Sequence, residues 1–328
     1  MKKTTAAALL AATVALTAFT AGCKDNKQWQ DAAVQAFTKQ NEVSNYAFSG
    51  KADLNLKPLA KPQSGGFSIA NTLNAMLLKS SIAFKGVSSR QPVQLEADVT
   101  VSLQGGAQSY NIPLLIKDNK LYTSMPILNQ ADEYISIDLE EASKASGSAN
   151  PLTAASMDTL NQMLNAALGN WVKAIDPSLF ANTAQEKDAP PVISIKLEGK
   201  SGMAALAEFA KQWPATVDQW VSQNWINAAQ AEQWKTMISS IASAELEKPG
   251  SIMLYLNNEG FIQRTVIDLQ LLLKDSSGSQ SSQSIKWDVA LDQINGNPPI
   301  TKEVPAKVLP LEDLLKRLIP AVSPAAAK

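Results

Sequence analysis

The chain has 328 residues, a formal charge of −1 from 29 basic and 30 acidic side chains, one cysteine and no histidine. That balance, with no basic cluster, argues against nucleic acid as a partner. The lack of histidine excludes Ser-His and Cys-His nucleophile pairs and histidine-containing zinc sites, which leaves little beyond carboxylates and lysines for chemistry.

At the N-terminus Lys2 and Lys3 precede an uncharged run of small and apolar residues (4–19), then Thr20, Ala21, Gly22 and Cys23. A positive stretch, an apolar core of this length and small residues at its end describe an export signal. The run is short for a membrane span of about 20 residues. Ala21-Gly22-Cys23 resembles the lipobox of bacterial lipoproteins, although Thr20 stands where that family usually has leucine. The resemblance implies a signal peptide over 1–22, cleavage before Cys23, and acyl chains such as palmitate on Cys23. The other reading is an ordinary secretory signal ahead of a free cysteine. On the lipobox reading the mature chain loses Lys2 and Lys3, so its charge moves from −1 to −3, and no disulfide forms within it. Later apolar stretches, such as 265–273, are short and contain a charge, so the expected membrane contact is the acyl anchor.

Residues 28–40 place Trp29, Ala32, Ala33, Ala36 and Phe37 on one helical stripe, with Asp25 or Asn26 as the expected cap. A strand follows over 46–56, where Tyr46, Phe48, Ala52, Leu54 and Leu56 alternate with mostly polar residues. Residues 57–66 contain two prolines and paired glycines and read as a loop. Residues 67–80 then space Phe67, Leu73, Met76 and Leu77 for a helix. Residues 93–103 alternate most strictly, and 110–116 repeat the pattern; "KDNK" at 117–120 predicts a hairpin turn into 121–123. A short strand is expected at 134–139.

The spacing of Met157, Leu160, Leu164, Leu168, Trp171 and Ile175 predicts a helix over 156–175. Further helices are expected over 203–244, interrupted near Pro214, with a strand at 192–199 before them. Strands 251–256, 261–274 and 284–292 form an expected antiparallel meander. Its first turn is "NNEG", and its second loop, 275–283, is low-complexity and expected to be exposed. A final short helix is expected at 311–319. The organisation is therefore an anchor and N-terminal helix (23–45), a single α+β domain (46–319) with a helical insertion at about 152–245, and a flexible tail (320–328). The expected fold is a large curled antiparallel sheet, a half-barrel, with helices packed on one face.

An N-terminal helix, long antiparallel strands, interposed helices and a final strand running into "NPP" (297–299) make a pattern. Together with "NYAFSGKADLNL" (45–56) and "KDNKLYTSMP" (117–126), it resembles the unclosed β-barrel of lipid-carrying bacterial lipoproteins and periplasmic lipoprotein carriers. The resemblance implies a hydrophobic cavity for a lipid or similar ligand. Candidate cavity residues are Phe67, Leu73, Met76, Leu77 and Trp171, each also readable as a core side chain. Met157 and Met163 carry the same two readings. Asp132-Glu133 and Glu140-Glu141 are adjacent pairs pointing apart, and Asp288 and Asp292 stand about 13 Å apart along a strand, too far for a glycosidase pair. No nucleophile elbow or nucleotide-binding glycine motif occurs. The expectation is a non-enzymatic protein with no cofactor and no metal, held by Cys23 on the extracytoplasmic face of a bacterial membrane. It would bind a lipid or other hydrophobic ligand between sheet and helices. The alternative is a filled core and a surface that binds an envelope partner.

Overall fold

The computed structural model describes residues 21–56, 79–103, 108–125, 129–130, 132–145, 154–186, 189–274 and 279–318. The chain begins with α1 (Ala21–Lys39) and six strands: β1 (Asn45–Asn55), β2 (Lys79–Arg90), β3 (Val93–Leu103), β4 (Gln108–Lys117), β5 (Lys120–Thr123) and β6 (Tyr134–Asp138). Next come α2 (Leu139–Ala145), α3 (Ala154–Ala174), β7 (Phe180–Asn182), β8 (Val192–Leu197), α4 (Gly199–Ser222) and α5 (Ala228–Ala242). The end comprises β9 (Glu245–Leu246), β10 (Gly250–Leu256), β11 (Ile262–Lys274), β12 (Gln280–Asp292), β13 (Val308–Pro310) and α6 (Leu311–Leu318).

All thirteen strands join one open sheet in the order β13-β6-β5-β4-β3-β2-β1-β12-β11-β10-β8-β7, with β9 beside β11. Every pairing is antiparallel except β13 with β6. The curled α+β architecture is thus the one expected, with one parallel edge strand added. Strands β1 to β6 form a continuous meander, β10 to β12 form a second, and the seam between them is β1 against β12, with Ala47 opposite Asp292 and Asn55 opposite Ser284.

The turns follow local chemistry. Asp118 and Asn119 both adopt positive φ (51° and 62°), as a type I′ hairpin turn requires, and Lys117 pairs with Lys120. At the β10–β11 turn Asn257 Oδ1 accepts from the N–H groups of Glu259 (3.0 Å) and Phe261 (2.9 Å), and Gly260 supplies a φ of 85°.

Helices α2 and α6 meet the sheet at its β6–β13 end, with Leu314 against Ile135 and Leu309, and α1, α4 and α5 meet it at the other, against β7, β8 and β11. There the core is filled by Ala33 and Ala36 of α1, Trp171 and Val172 of α3, Ala205 and Leu206 of α4, and the inward residues Phe180, Ile193, Ile195, Leu197 and Leu254 of the strands. The expected α1 stripe is the one that packs: Ala33 and Ala36 are buried, and Trp29, Ala32 and Phe37 lie against the same cluster. Gln30 is buried on this face. Its Nε2 donates to the carbonyls of Val172 (2.8 Å) and Ile175 (2.7 Å), acceptors that the end of α3 leaves without helical partners.

Several expectations are corrected. Helix α1 starts at Ala21, so Asp25 and Asn26 lie inside it and do not cap it. Strand β2 was not anticipated, and Lys79 and Ser80 belong to it. The expected 57–66 loop and the rest of the 67–80 helix lie outside the described residues. Leu139 opens α2, because Asp138 Oδ1 accepts from the N–H groups of Glu140 and Glu141 (3.0 Å each) and caps a helix there. Pro214 does not interrupt its helix: α4 runs through it. The break falls at 223–227, where Asn224 takes a φ of 55° and Asn227 with Gln230 forms a capping box. The loop expected over 275–283 is shorter, since β12 begins at Gln280 and Gln283 is buried opposite Leu271.

Candidate functional site

Pleating assigns each strand residue to a face, and paired residues share that face. The inner face, which meets the helices at β7 to β11, continues across β12, β1, β2, β3 and β4. There it carries Leu54, Ile82, Leu95, Val99, Leu114 and Val289, all only half-buried. Four aromatic rings form a chain across its middle. Tyr46 and Phe48 of β1 are 6.0 Å apart, Phe48 and Phe84 of β2 are 6.2 Å apart, and Phe84 and Trp287 of β12 are 5.8 Å apart. Trp287 is 37% exposed.

Two glycines make this platform. Phe48 pairs with Gly86 and Phe84 with Gly50, so each ring lies over a residue that lacks a side chain. A Cβ built on Gly50 would stand 2.6 Å from Phe84 Cζ, and one on Gly86 would stand 2.7 Å from Phe48 Cζ. Backbone oxygens crowd the same positions: the Glu96 carbonyl would lie 2.2 Å from a Gly86 Cβ and that of Asp288 2.8 Å from a Gly50 Cβ. The close approach of neighbouring strands at these points fits a strongly coiled sheet.

A second concave feature lies between helices. One face of α3 (Thr159, Gln162, Met163, Ala166, Asn170) and one face of α4 (Phe209, Gln212, Trp213, Thr216, Gln219) border a groove of about 560 Å³. Ala166, Ala167 and Ala215 are too small to fill it. Phe209 and Trp213 stack at 4.9 Å with 29° between their planes, and Trp171 stands edge-on to Phe209 at 5.9 Å. The aromatic series runs on through Trp220 to Trp234 of α5.

The outer face of the sheet is charged and solvated. Arg264 holds Asp288 through two hydrogen bonds (2.8 and 2.7 Å), and that contact keeps the Asp288 carboxyl below its ordinary range. Asp53 is held down chiefly by its hydrogen bond from Ser81. Residues 293–307 cross this face, where Glu96 accepts from the N–H groups of Thr301 (2.7 Å) and Lys302 (2.6 Å), and Lys302 Nζ reaches Asp98 (2.6 Å). Among the described residues no three acids or cysteines converge as metal ligands would.

The candidate residues fall as follows. Phe67, Leu73, Met76 and Leu77 lie outside the described residues, as does the side chain of Met157. Cys23 lies in the first turns of α1, with its side chain outside the described residues. Trp171 is 5% exposed and its Nε1 donates to the Ala205 carbonyl at 2.8 Å, which makes it a core anchor with one edge on the groove. Met163 also borders the groove. Glu133 is buried and paired with Arg317 of α6 at 3.3 Å, and Glu140 pairs with Lys144. The aromatic platform was not foreseen as a unit, because pairing Phe48 with Gly86 requires strand β2. The alternation of Tyr46 and Phe48 was the part of the signal present in the sequence.

No protein-family model matches the chain, and no curated protein matches it. Among solved structures it is similar to the crystal structure of LprF from Mycobacterium bovis. Identity is 10%, coverage is 85% of this chain and 97% of that chain, and the TM-score is 0.32. A likeness of that size carries no argument about ligand or activity.

Proposed function

We propose that the protein is an exported, non-enzymatic lipoprotein, anchored through Cys23, that holds a lipid or other amphiphile against the uncovered inner face of its curled sheet. One observation carries the reading. Among the described residues the helices cover the inner face at its two ends, β7–β11 and β6–β13, while across β1 to β4 and β12 half-exposed apolar residues and four linked aromatic rings surround a few buried small ones such as Ala52 and Ala97. Strands of 11 to 13 residues extend over about 35–45 Å, long enough to lie along an acyl chain. Exposed apolar surface of this extent on a monomer marks a binding face. The membrane anchor rests on the residues from Lys2 to Cys23.

The test is native mass spectrometry of mature protein purified from its own envelope, followed by solvent extraction. A stoichiometric mass present under native and lost under denaturing conditions supports the reading, and Trp287→Gln should weaken uptake about tenfold. A clean apo mass with no uptake of added phospholipid overturns it in favour of surface binding. For the anchor, Cys23→Ser should release the protein from membranes or leave the precursor uncut; processing and membrane attachment like the parent's would refute it.

A further inference from the structure

The groove between α3 and α4 is separate from the sheet face and has a different chemistry. Its floor is aromatic and apolar, with the stacked pair Phe209–Trp213, the edge of Trp171, and Met163. Its rim is made of carboxamides. Those of Gln162, Asn170 and Gln219 make no hydrogen bond among the described residues, whereas Gln212 donates to Glu208 at 2.7 Å. The charged side chain of the lining, Lys211, pairs with Glu208 at 3.2 Å, which offsets its charge and leaves carboxamides as the main polar groups of the rim. The volume lies within the range of ligand clefts.

We propose that this groove binds a neutral oligosaccharide. A guest seated there strips water from three carboxamides, and each must then find a donor or acceptor on the guest. A hydrocarbon chain supplies none. Sugar hydroxyls and acetamido groups supply both, and the C–H face of a pyranose ring presents slight positive charge to the electron-rich face of Trp213. Gln162 and Asn170 lie eight residues apart on α3, a rise of about 12 Å, which spaces the polar contacts for several sugar units in a row. The proposal does not depend on the lipid reading.

The experiment is calorimetry and NMR titration of the mature protein with three probes: chitotetraose, maltotetraose and a neutral tetrapeptide. One of the tetrasaccharides should bind one to one with a Kd of about 1 mM or tighter. Asn170→Ala should weaken it about three- to tenfold and Trp213→Ala at least tenfold, with Trp213→Phe retaining most of the affinity. Asn170 is exposed, so its variant remains folded and decides the matter where Trp213→Ala does not fold. Silence from both sugars, binding by the peptide alone, or sugar affinity unchanged in Asn170→Ala and Trp213→Ala would each overturn the proposal.

Discussion

Gln30 offers the sharpest test of how the helices are held together. Its carboxamide is 1% exposed and donates chiefly to two carbonyls, Val172 at 2.8 Å and Ile175 at 2.7 Å, with that of Lys173 farther off at 3.4 Å, across the α1–α3 junction. Gln30→Met keeps the length and volume of the side chain and removes the donor. A buried acceptor left without a partner costs about 1–3 kcal/mol. With two such carbonyls, and less desolvation of the lost carboxamide, the expected destabilisation is about 2–4 kcal/mol. In a chain of this size that lowers Tm by about 5–10 °C. Gln30→Glu adds a pH signature. A carboxyl facing two carbonyl oxygens has its folded pKa raised, so its stability is fully present below the unfolded value of about 4.3 and is lost as pH rises through the folded one. Urea melts at pH 7 and pH 4 measure both effects. Gln30→Met within about 0.5 kcal/mol of the parent, or Gln30→Glu no worse at pH 7 than at pH 4, would refute the reasoning.

Other substitutions follow from the same structure. Gly86→Ala places a Cβ 2.2 Å from the Glu96 carbonyl and should cost more than about 3 kcal/mol or prevent folding. Gly199→Ala, at a φ of 57° with open space around it, should cost only about 1 kcal/mol; equal melting curves for the two would contradict the packing described. Pro214→Ala should stabilise α4 by about 1–2 kcal/mol by restoring a helical N–H, and a lowered midpoint in urea would show that the ring contributes more through packing. Asp288→Asn should cost no more than about 1 kcal/mol at pH 7, since the pair with Arg264 is nearly half exposed. The Asp288 carboxyl is depressed in the fold, so its contribution is present above the unfolded value of about 3.9 and lost as pH falls through the folded one; the gap between parent and variant melts should narrow as the pH is lowered.

Strict alternation made β3 and β4 legible to within a residue or two, and the Asp-Asn turn into β5 could be read from its two residues alone. Strand β2 was not legible. Its inner row, Ser80, Ile82, Phe84, Gly86 and Ser88, is half small or polar, so period-two hydrophobicity fades; the missing side chain at Gly86 is supplied by Phe48 from the next strand. Pro214 misled because proline breaks isolated helices, whereas α4 is held on both sides of it, by Leu206 in the main core and by Val217 in the cluster shared with α5. Trp171 carried two readings in the sequence because a stripe of apolar residues says that a face is covered without saying by what. The groove beside it arises from Ala166 and Ala215 on two different helices, a relation that helical spacing alone does not reveal.

The seam between β1 and β12 sets an order of events for a newly made chain. Residues 45–138 build one meander from neighbours, and 250–292 build another, but the two become one sheet only when Ala47 meets Asp292 and Asn55 meets Ser284. Closing a loop of that length costs about 5 kcal/mol in chain entropy before its eleven-residue partner strand returns anything. Until then β1 presents a long unpaired edge, the kind that templates association with other chains. Chains truncated before residue 280 therefore keep that edge open, and their insolubility would report the missing seam and not a defect in the first meander.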